Sequence, residues 1–486
     1  MNLRSLGQNA FLYAIGNISI RVGSFFLIPL YTYSLSISDY GRLVTLLMTI
    51  QVLIPVIGLG TPAGFMRFAD EYRKKGQVGS LVGSTIVMQA GSGLAATIIC
   101  VFLLLPFFRI ILHTDAVLEY VALTCLAALA QSLFDHITSY YRVRSEGLKF
   151  LAASVSAFGI LILTNLVFIR TFSWGIKGAL IAQAVTYGGL WIVILIHVFS
   201  VDGIGASAQL IRRLFKFSFP LVFAVTSGIA GDVSAVYLLS MLTSLEQVAI
   251  YSLGYKIASI AGNVLILPFQ LAYEPFVYQN AETLGIQNTI SKILTYLMLC
   301  FSFVAFAIVF IARDLLHVIA PPEYFAAYPV IFLMLPAMAF KGVYYIGESL
   351  LNIKHRTKFV GIVVTVLTVA GIASNYFLIK WWGMSGALFI FNVLAVATSI
   401  SLMVGGINSF PIPVEWRRLI LISALTSFLM LGVYFLHNAN NFVYYSVLPL
   451  IGIGSLAYIY FGNFCNLEEK SAIKGFLQRV ETNTNE

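Results

Sequence analysis

"GNISIRVGSFFLIPLYTY", residues 16–33, has the length and apolar content of the middle of a membrane-spanning helix, yet Arg21 sits about halfway along it. Hydrocarbon about 30 Å thick is crossed by about 20 apolar residues in a helix. A permanent cation inside it is costly unless it faces a protein interior or a wet cavity. At helical spacing, Asn9, Tyr13, Asn17, Arg21 and Ser24 fall along one stripe, with Leu, Ile, Val and Phe on the other face. An arginine that merely snorkels toward the interface needs no polar stripe. The pattern therefore predicts a helix that lines a cavity.

The rest of the chain repeats the first reading. Of 486 residues, 59% are hydrophobic and 10% charged, and the mean hydropathy is +0.91, values that exclude a water-soluble globular domain of this size. About fourteen apolar runs of spanning length follow one another from 10–34 to 444–464. The expected fold is an all-α polytopic membrane protein. Basic clusters at 67–75, 142–149, 212–216 and 354–358 all fall on the side of the N-terminus. This predicts cytoplasmic N- and C-termini, because cytoplasmic connections retain Lys and Arg. The net charge of +9 is then a topology signal rather than a nucleic-acid signal. The N-terminus lacks the pattern of a cleaved signal peptide, so the first span is expected to be retained.

An internal echo divides the chain. "SISDYGRL" at 36–43 and "SLEQVAIY" at 244–251 each follow an apolar span, with six spans between them, which predicts two parallel lobes. The expected organisation is an N-terminal six-helix lobe at 1–206, a cytoplasmic interfacial linker helix at 207–217, and a C-terminal six-helix lobe at 218–405. Two additional transmembrane helices at 406–464 and a cytoplasmic tail at 465–486 complete it. The loops between spans are too short for an external catalytic domain.

Three more stripes carry polar residues: Ser252, Lys256, Ser259 and Asn263; Lys341, Tyr345, Glu348 and Asn352; and Gln131, Asp135, Thr138 and Arg142. Arg21 and Lys256 have no acid on their own stripes, which suits them to meet an anion, and a guanidinium fork suits phosphate in particular. Lys341 and Glu348 would equally serve as structural bridges to neighbouring helices. The candidate substrate-binding cations are Arg21, Lys256 and Lys341. The candidate polar lining is Asn17, Ser24, Gln131, Ser259, Asn263 and Tyr345. Asp135, Asp232 and Glu348 are candidate ion-coupling carboxylates. No phosphate-binding G-x-x-x-x-G-K-[ST] loop occurs, the six His are scattered, and the four Cys have no paired spacing. No catalytic residue, metal or cofactor is expected.

These residues resemble a known family. "LSISDYGRL", with Leu35, Tyr40 and Gly41, is similar to the Leu-x-x-x-x-Tyr-Gly element of the polysaccharide and O-antigen flippases, in the superfamily that also holds multidrug extruders and lipid II flippases. "SYYRVRSEGLKF", with Tyr140, Tyr141 and Arg142, resembles that family's Tyr-Tyr-Arg element. "SFPLVF", "VAIYSLGYKIA" and "PFQLAYEPFVY" follow in family order. The family commonly has Asp followed by Arg or Lys in the seventh helix; here Ala235 and Val236 stand there, with Asp232 one turn earlier.

The resemblance implies alternating-access flipping of polyprenyl-diphosphate-linked oligosaccharide repeat units across the cell inner membrane, for O-antigen, capsule or exopolysaccharide. The implied partners are that lipid-linked oligosaccharide, membrane lipids and, where the chain works beside one, a polysaccharide polymerase with its chain-length machinery. Two alternatives compete. A cation-coupled multidrug exporter of the same fold would want an acid deep in the first helix, and none is present. A membrane glycan polymerase or acyltransferase would want a large outer loop or a His poised on a carboxylate.

Overall fold

The computed structural model describes residues 25–436 continuously, with Leu12, Tyr13, Gly16, Ser19, Gly23, Leu450 and Gly454 beyond them; the side chains of Ala224, Ser227 and Asp232 are not among those described. Every regular element among the described residues is helical. Phe25–Ser34 (α1) is followed by Ile37–Gly58 (α2), Thr61–Lys74 (α3), Val78–Ile98 (α4), Leu105–Leu112 (α5), Val117–Val143 (α6), Gly147–Asn165 (α7) and Gly175–Asp202 (α8). Then come Ala208–Leu242 (α9), Leu245–Ala261 (α10), Leu267–Gln279 (α11), Ile286–Ile319 (α12), Ala327–Ile353 (α13), Thr357–Trp382 (α14), Met384–Ser409 (α15) and Trp416–Leu436 (α16). Among the described residues, 12 helices are long and apolar enough to cross a membrane. α1 is the described end of the first expected span, and the fourteenth, 444–464, lies outside the described residues.

Two spans differ from the sequence expectation in detail. The basic segment at 207–217 is continuous with the seventh span, forming the 35-residue α9 with Pro220 inside it, since no glycine or turn residue separates the two. The second span is instead broken. Leu59 and Gly60 both adopt left-handed backbone, φ 47° and 66°, so α2 stops and α3 restarts with Pro62 in its first turn.

The chain forms two compact units. One takes the chain through Leu253 together with Leu316–Ala327 and Thr365–Ile390; the other takes Gly254–Leu315, Tyr328–Val364 and the chain from Phe391 onward. The first unit's core joins Phe65 and Phe68 of α3, Leu81 and Val82 of α4, Phe134, Ile137 and Tyr140 of α6, Phe150 of α7 and Tyr187 of α8.

The echoed sequences perform the same local task. Ser36 accepts a hydrogen bond from the Asp39 N–H at 3.1 Å, capping α2, and Ser244 accepts one from the Gln247 N–H at 3.4 Å at the start of α10. Both are S-x-x-acid/amide caps. The two helix starts also meet within the first unit. Ser38 donates to Glu246, and Gly41 lies against the Leu245 carbonyl, where a Cβ would collide. Tyr40 is fully buried and packs edge-on to Tyr324 at 5.7 Å.

Candidate functional site

In the first unit the broken second span opens a cavity of about 570 Å³. Gln51, Pro55 and Gly58 line it from α2, Pro62 and Ala63 from α3, and Ser132 and Asp135 from α6, while Leu221, Val222, Val225 and Ile229 of α9 give it an apolar wall. Ser132 reaches back to the α2 carbonyl of Ile54 at 3.4 Å. Among the described lining residues, Asp135 is the one with a charged side chain.

The other polar residues of this α6 stripe meet different neighbours. Gln131 accepts a hydrogen bond from Gln183 at 2.6 Å, in the packing of α6 on α8. Thr138 bonds the Asp135 carbonyl at 3.0 Å. Arg142 stacks on Phe150 at 4.5 Å and interacts electrostatically with Asp135 and Tyr13. The Arg142 Nε and the Tyr13 hydroxyl are buried with no hydrogen-bond partner among the described residues. Tyr140, of the Tyr-Tyr-Arg element, donates to the Asp202 carboxylate at 2.5 Å, and Arg144 bonds the same carboxylate at 3.0 Å. A carboxylate at the C-terminal end of α8 opposes the helix dipole; this pair neutralises it and fixes the turn into α9.

In the second unit, the chain from Gly262 through α11 runs parallel to α13. Gly262 lies beside Met338, Ile266 beside Gly342, and the Tyr273 hydroxyl accepts from Ser349 at 3.1 Å. This order places Lys341 about nine residues further along than Lys256, roughly 13 Å at 1.5 Å per residue. Both lysines are half-buried, and neither forms an ion pair among the described residues. Ser259 turns its hydroxyl onto the Lys256 carbonyl at 2.7 Å. Asn263 lies in the π-helical turn Gly262–Ile266, and Tyr345 packs edge-on to Tyr344 at 5.2 Å.

Glu348 has an acidic neighbour that the stripes did not reveal. Its charge interacts with Glu274 of α11, which accepts from Gln270 at 2.9 Å. Glu274 and the Leu59–Gly60 break were both missed by the sequence reading; for the break, "GLGTP" at 58–62 was an available signal. Arg21, Asn17 and Ser24 lie outside the described residues, as does the Asp232 side chain. Among the described residues no group of three or more His, Cys, Asp or Glu is placed to hold a metal ion.

Comparison with solved structures gives the fold. The chain superimposes on the lipid II flippase MurJ in an inward closed conformation, with TM-score 0.71 and 14% identity, covering 92% of this chain and 99% of that one. It also matches an inward-facing multidrug resistance MATE family transporter of the MOP superfamily, with TM-score 0.62, 15% identity, and 85% and 96% covered. The Vibrio cholerae MATE transporter VcmN follows at TM-score 0.57, 14% identity, and 87% and 97% covered. No curated protein matches the chain. Residues 6–281 match the family described as polysaccharide biosynthesis protein, a stretch that takes in the capped start of α2, the broken second span, the Tyr-Tyr-Arg element and Lys256. The chain belongs to that family, as a multi-span membrane protein with the fold shared by MurJ and the MATE transporters.

Proposed function

We propose that the protein is a flippase that carries polyprenyl-diphosphate-linked oligosaccharide repeat units across the cytoplasmic membrane, by alternating access, for a cell-surface polysaccharide such as O-antigen, capsule or exopolysaccharide. The observation that carries this reading is the placement of Lys256 and Lys341. They are two half-buried cations within apolar spans and have no acidic partner among the described residues, in a chain of the polysaccharide biosynthesis protein family. Such cations are costly in hydrocarbon, and an anionic head group offsets that cost through charge-assisted hydrogen bonds.

In this reading Arg21 and Lys256 attract the diphosphate or acidic sugars and Lys341 assists. Asn17, Ser24, Gln131, Ser259, Asn263 and Tyr345 meet the glycan, and the lipid tail stays in the bilayer. Asp135, Asp232 and Glu348 are the carboxylates available for ion coupling. The two-lobe division at 1–206 and 218–405, with cytoplasmic termini, is the frame in which the lobes rock. Polysaccharide polymerase and chain-length proteins would receive the flipped unit.

Head-group translocation of a fluorescent lipid-diphosphate oligosaccharide in proteoliposomes tests the reading. Removing one charge-assisted contact of about 1.5–3 kcal/mol should slow translocation roughly ten- to hundredfold in Arg21→Ala or Lys256→Ala. Native-rate flipping by both variants, at equal protein level, would refute the site.

A further inference from the structure

The break in the second span leaves chemistry that the flippase reading does not use. α2 ends at Gly58, inside an apolar run, and the helix end strands carbonyl groups. Three near the break find donors: the Ile54 carbonyl accepts from Ser132 at 3.4 Å, Pro55 from the Leu59 N–H at 3.0 Å, and Ile57 from Ser92 at 2.5 Å. The carbonyls of Val56 and Gly58 accept no hydrogen bond among the described residues. In a membrane interior an unpaired carbonyl costs several kcal/mol unless it faces a cavity with something to bind.

Gly58 faces such a cavity, the same one that Asp135 lines. No described residue donates a hydrogen bond to the Asp135 carboxylate; its charged neighbour is Arg142, two turns along α6 and stacked on Phe150. Among the described residues, Tyr187 of α8 is the titratable group that meets it from another helix, and the described lining residues of α2, α3 and α9 include no titratable side chain. At the start of α3, two of the first N–H groups are already used. Pro62 has no N–H, and the N–H groups of Ala63 and Gly64 both bond the Gly60 carbonyl at 3.1 Å.

Among the described residues, the cavity thus offers one carboxylate, the Ser132 hydroxyl, the Gln51 side-chain amide and Gly58 with its unpaired carbonyl, against an apolar wall. That donor set repels a diphosphate and suits a hard cation bound by oxygen. A single carboxylate suits a monovalent cation rather than a divalent one. Broken helices whose carbonyl ends meet a carboxylate are the form in which transporters hold coupling ions. We propose that the cavity at the α2–α3 break is a monovalent-cation site, where Asp135 is neutralised by a sodium ion shared with Gly58 and Ser132, or by a proton. Its role as the coupling site rests on the flippase reading; its ability to bind a cation does not.

The test uses the purified full-length protein in detergent. Binding of radioactive sodium and the unfolding temperature are measured in sodium chloride against choline chloride at matched ionic strength, across a pH series. If sodium is the occupant, it binds the native protein and raises its unfolding temperature. Asp135→Asn then abolishes both effects, and Ser132→Ala weakens binding roughly tenfold, the worth of one hydrogen bond to a charged group. If a proton is the occupant, sodium does nothing, and the unfolding temperature shows a pH-dependent step that Asp135→Asn removes and Asp135→Glu shifts. Glu282→Gln, at an exposed turn outside the helices, leaves either response in place. Identical responses of the native protein, Asp135→Asn and Ser132→Ala to sodium and to pH would overturn the proposal. Should the Asn variant not fold, Ser132→Ala with unchanged sodium affinity and Asp135→Glu with an unmoved pH step would do the same. A cation response in a chain that moves no lipid-linked glycan would sink the flippase reading and leave the site. Translocation with no cation response would do the reverse.

Discussion

At the scale of single residues, glycines show where the helices must touch. Gly60 carries φ 66°, and a Cβ placed on it would lie 2.6 Å from the Ser218 carbonyl of α9. Left-handed backbone costs a residue with a Cβ about 1–2 kcal/mol, and the collision adds to that. Gly60→Ala should therefore destabilise the protein by about 2 kcal/mol or more. Gly91 is the control, since nothing lies within 4 Å of its would-be Cβ. In a helix interior Ala is favoured over Gly by about 0.5–1 kcal/mol, so Gly91→Ala should be neutral or stabilising. Thermal unfolding in one detergent reads both, and equal effects would contradict the packing described. Tyr140→Phe gives a second check. It removes the 2.5 Å hydrogen bond to Asp202, a bond to a charged group worth about 1.5–3 kcal/mol, and it leaves Arg144 as that carboxylate's remaining partner. Adding Arg144→Gln to Tyr140→Phe should cost more than the two single changes summed, because the Asp202 carboxylate is then left unpaired.

At the scale of elements, what could be read ahead depended on periodicity. Long apolar runs cannot satisfy their backbone in lipid except as helices, so the spans were legible from composition alone, and 12 of them are present among the described residues. The stripe logic places residues on faces of one helix and says nothing about which faces meet. Glu274 was therefore invisible as a neighbour of Glu348, and Gln131 could not be seen to pair with Gln183. The break at Leu59–Gly60 was hidden for another reason. Leucine is apolar, so hydropathy runs through it, and only its conformation interrupts the helix. The echo was legible because it is a cap, and caps have sequence signatures. Its consequence needed the structure: Ser38 and Glu246, which hold equivalent places in the echo, bond to each other. If the chain works by the rocking of two repeats proposed above, the axis relating them would pass between these equivalent residues, and the motion would have to open or pivot on this contact. On that proposal, cysteines at Ser38 and Glu246 should form a reversible cross-link that halts glycan translocation, with recovery on reduction. Full translocation by the cross-linked protein would make the contact a fixed hinge rather than a gate.

At the scale of the whole molecule, the proposed flippase function raises the question whether one anion meets all the embedded cations or several charges meet them in turn. Lys256 and Lys341 are separated by roughly 13 Å along the helices that carry them, with their neighbours fixed by the contacts of Gly262 with Met338 and of Gly342 with Ile266. A diphosphate is much shorter than that gap, so the two ammonium groups would hold different parts of the head group, or the same part at different stages of its passage. Substitutions at sites more than about 7–10 Å apart with no shared partner combine additively, within about 0.3–0.5 kcal/mol. Lys256→Ala and Lys341→Ala should accordingly slow translocation by factors that multiply in the double variant. A double variant no slower than the worse single one would mean that both lysines grip a single phosphate, and that their side chains close the gap the backbone leaves. Raising ionic strength gives an independent reading of the same point. Charges shielded from solvent are screened weakly, so lysines lining a closed cavity should leave the rate nearly constant with salt. A steep decline would place them at an open mouth, steering the head group in rather than holding it during the crossing.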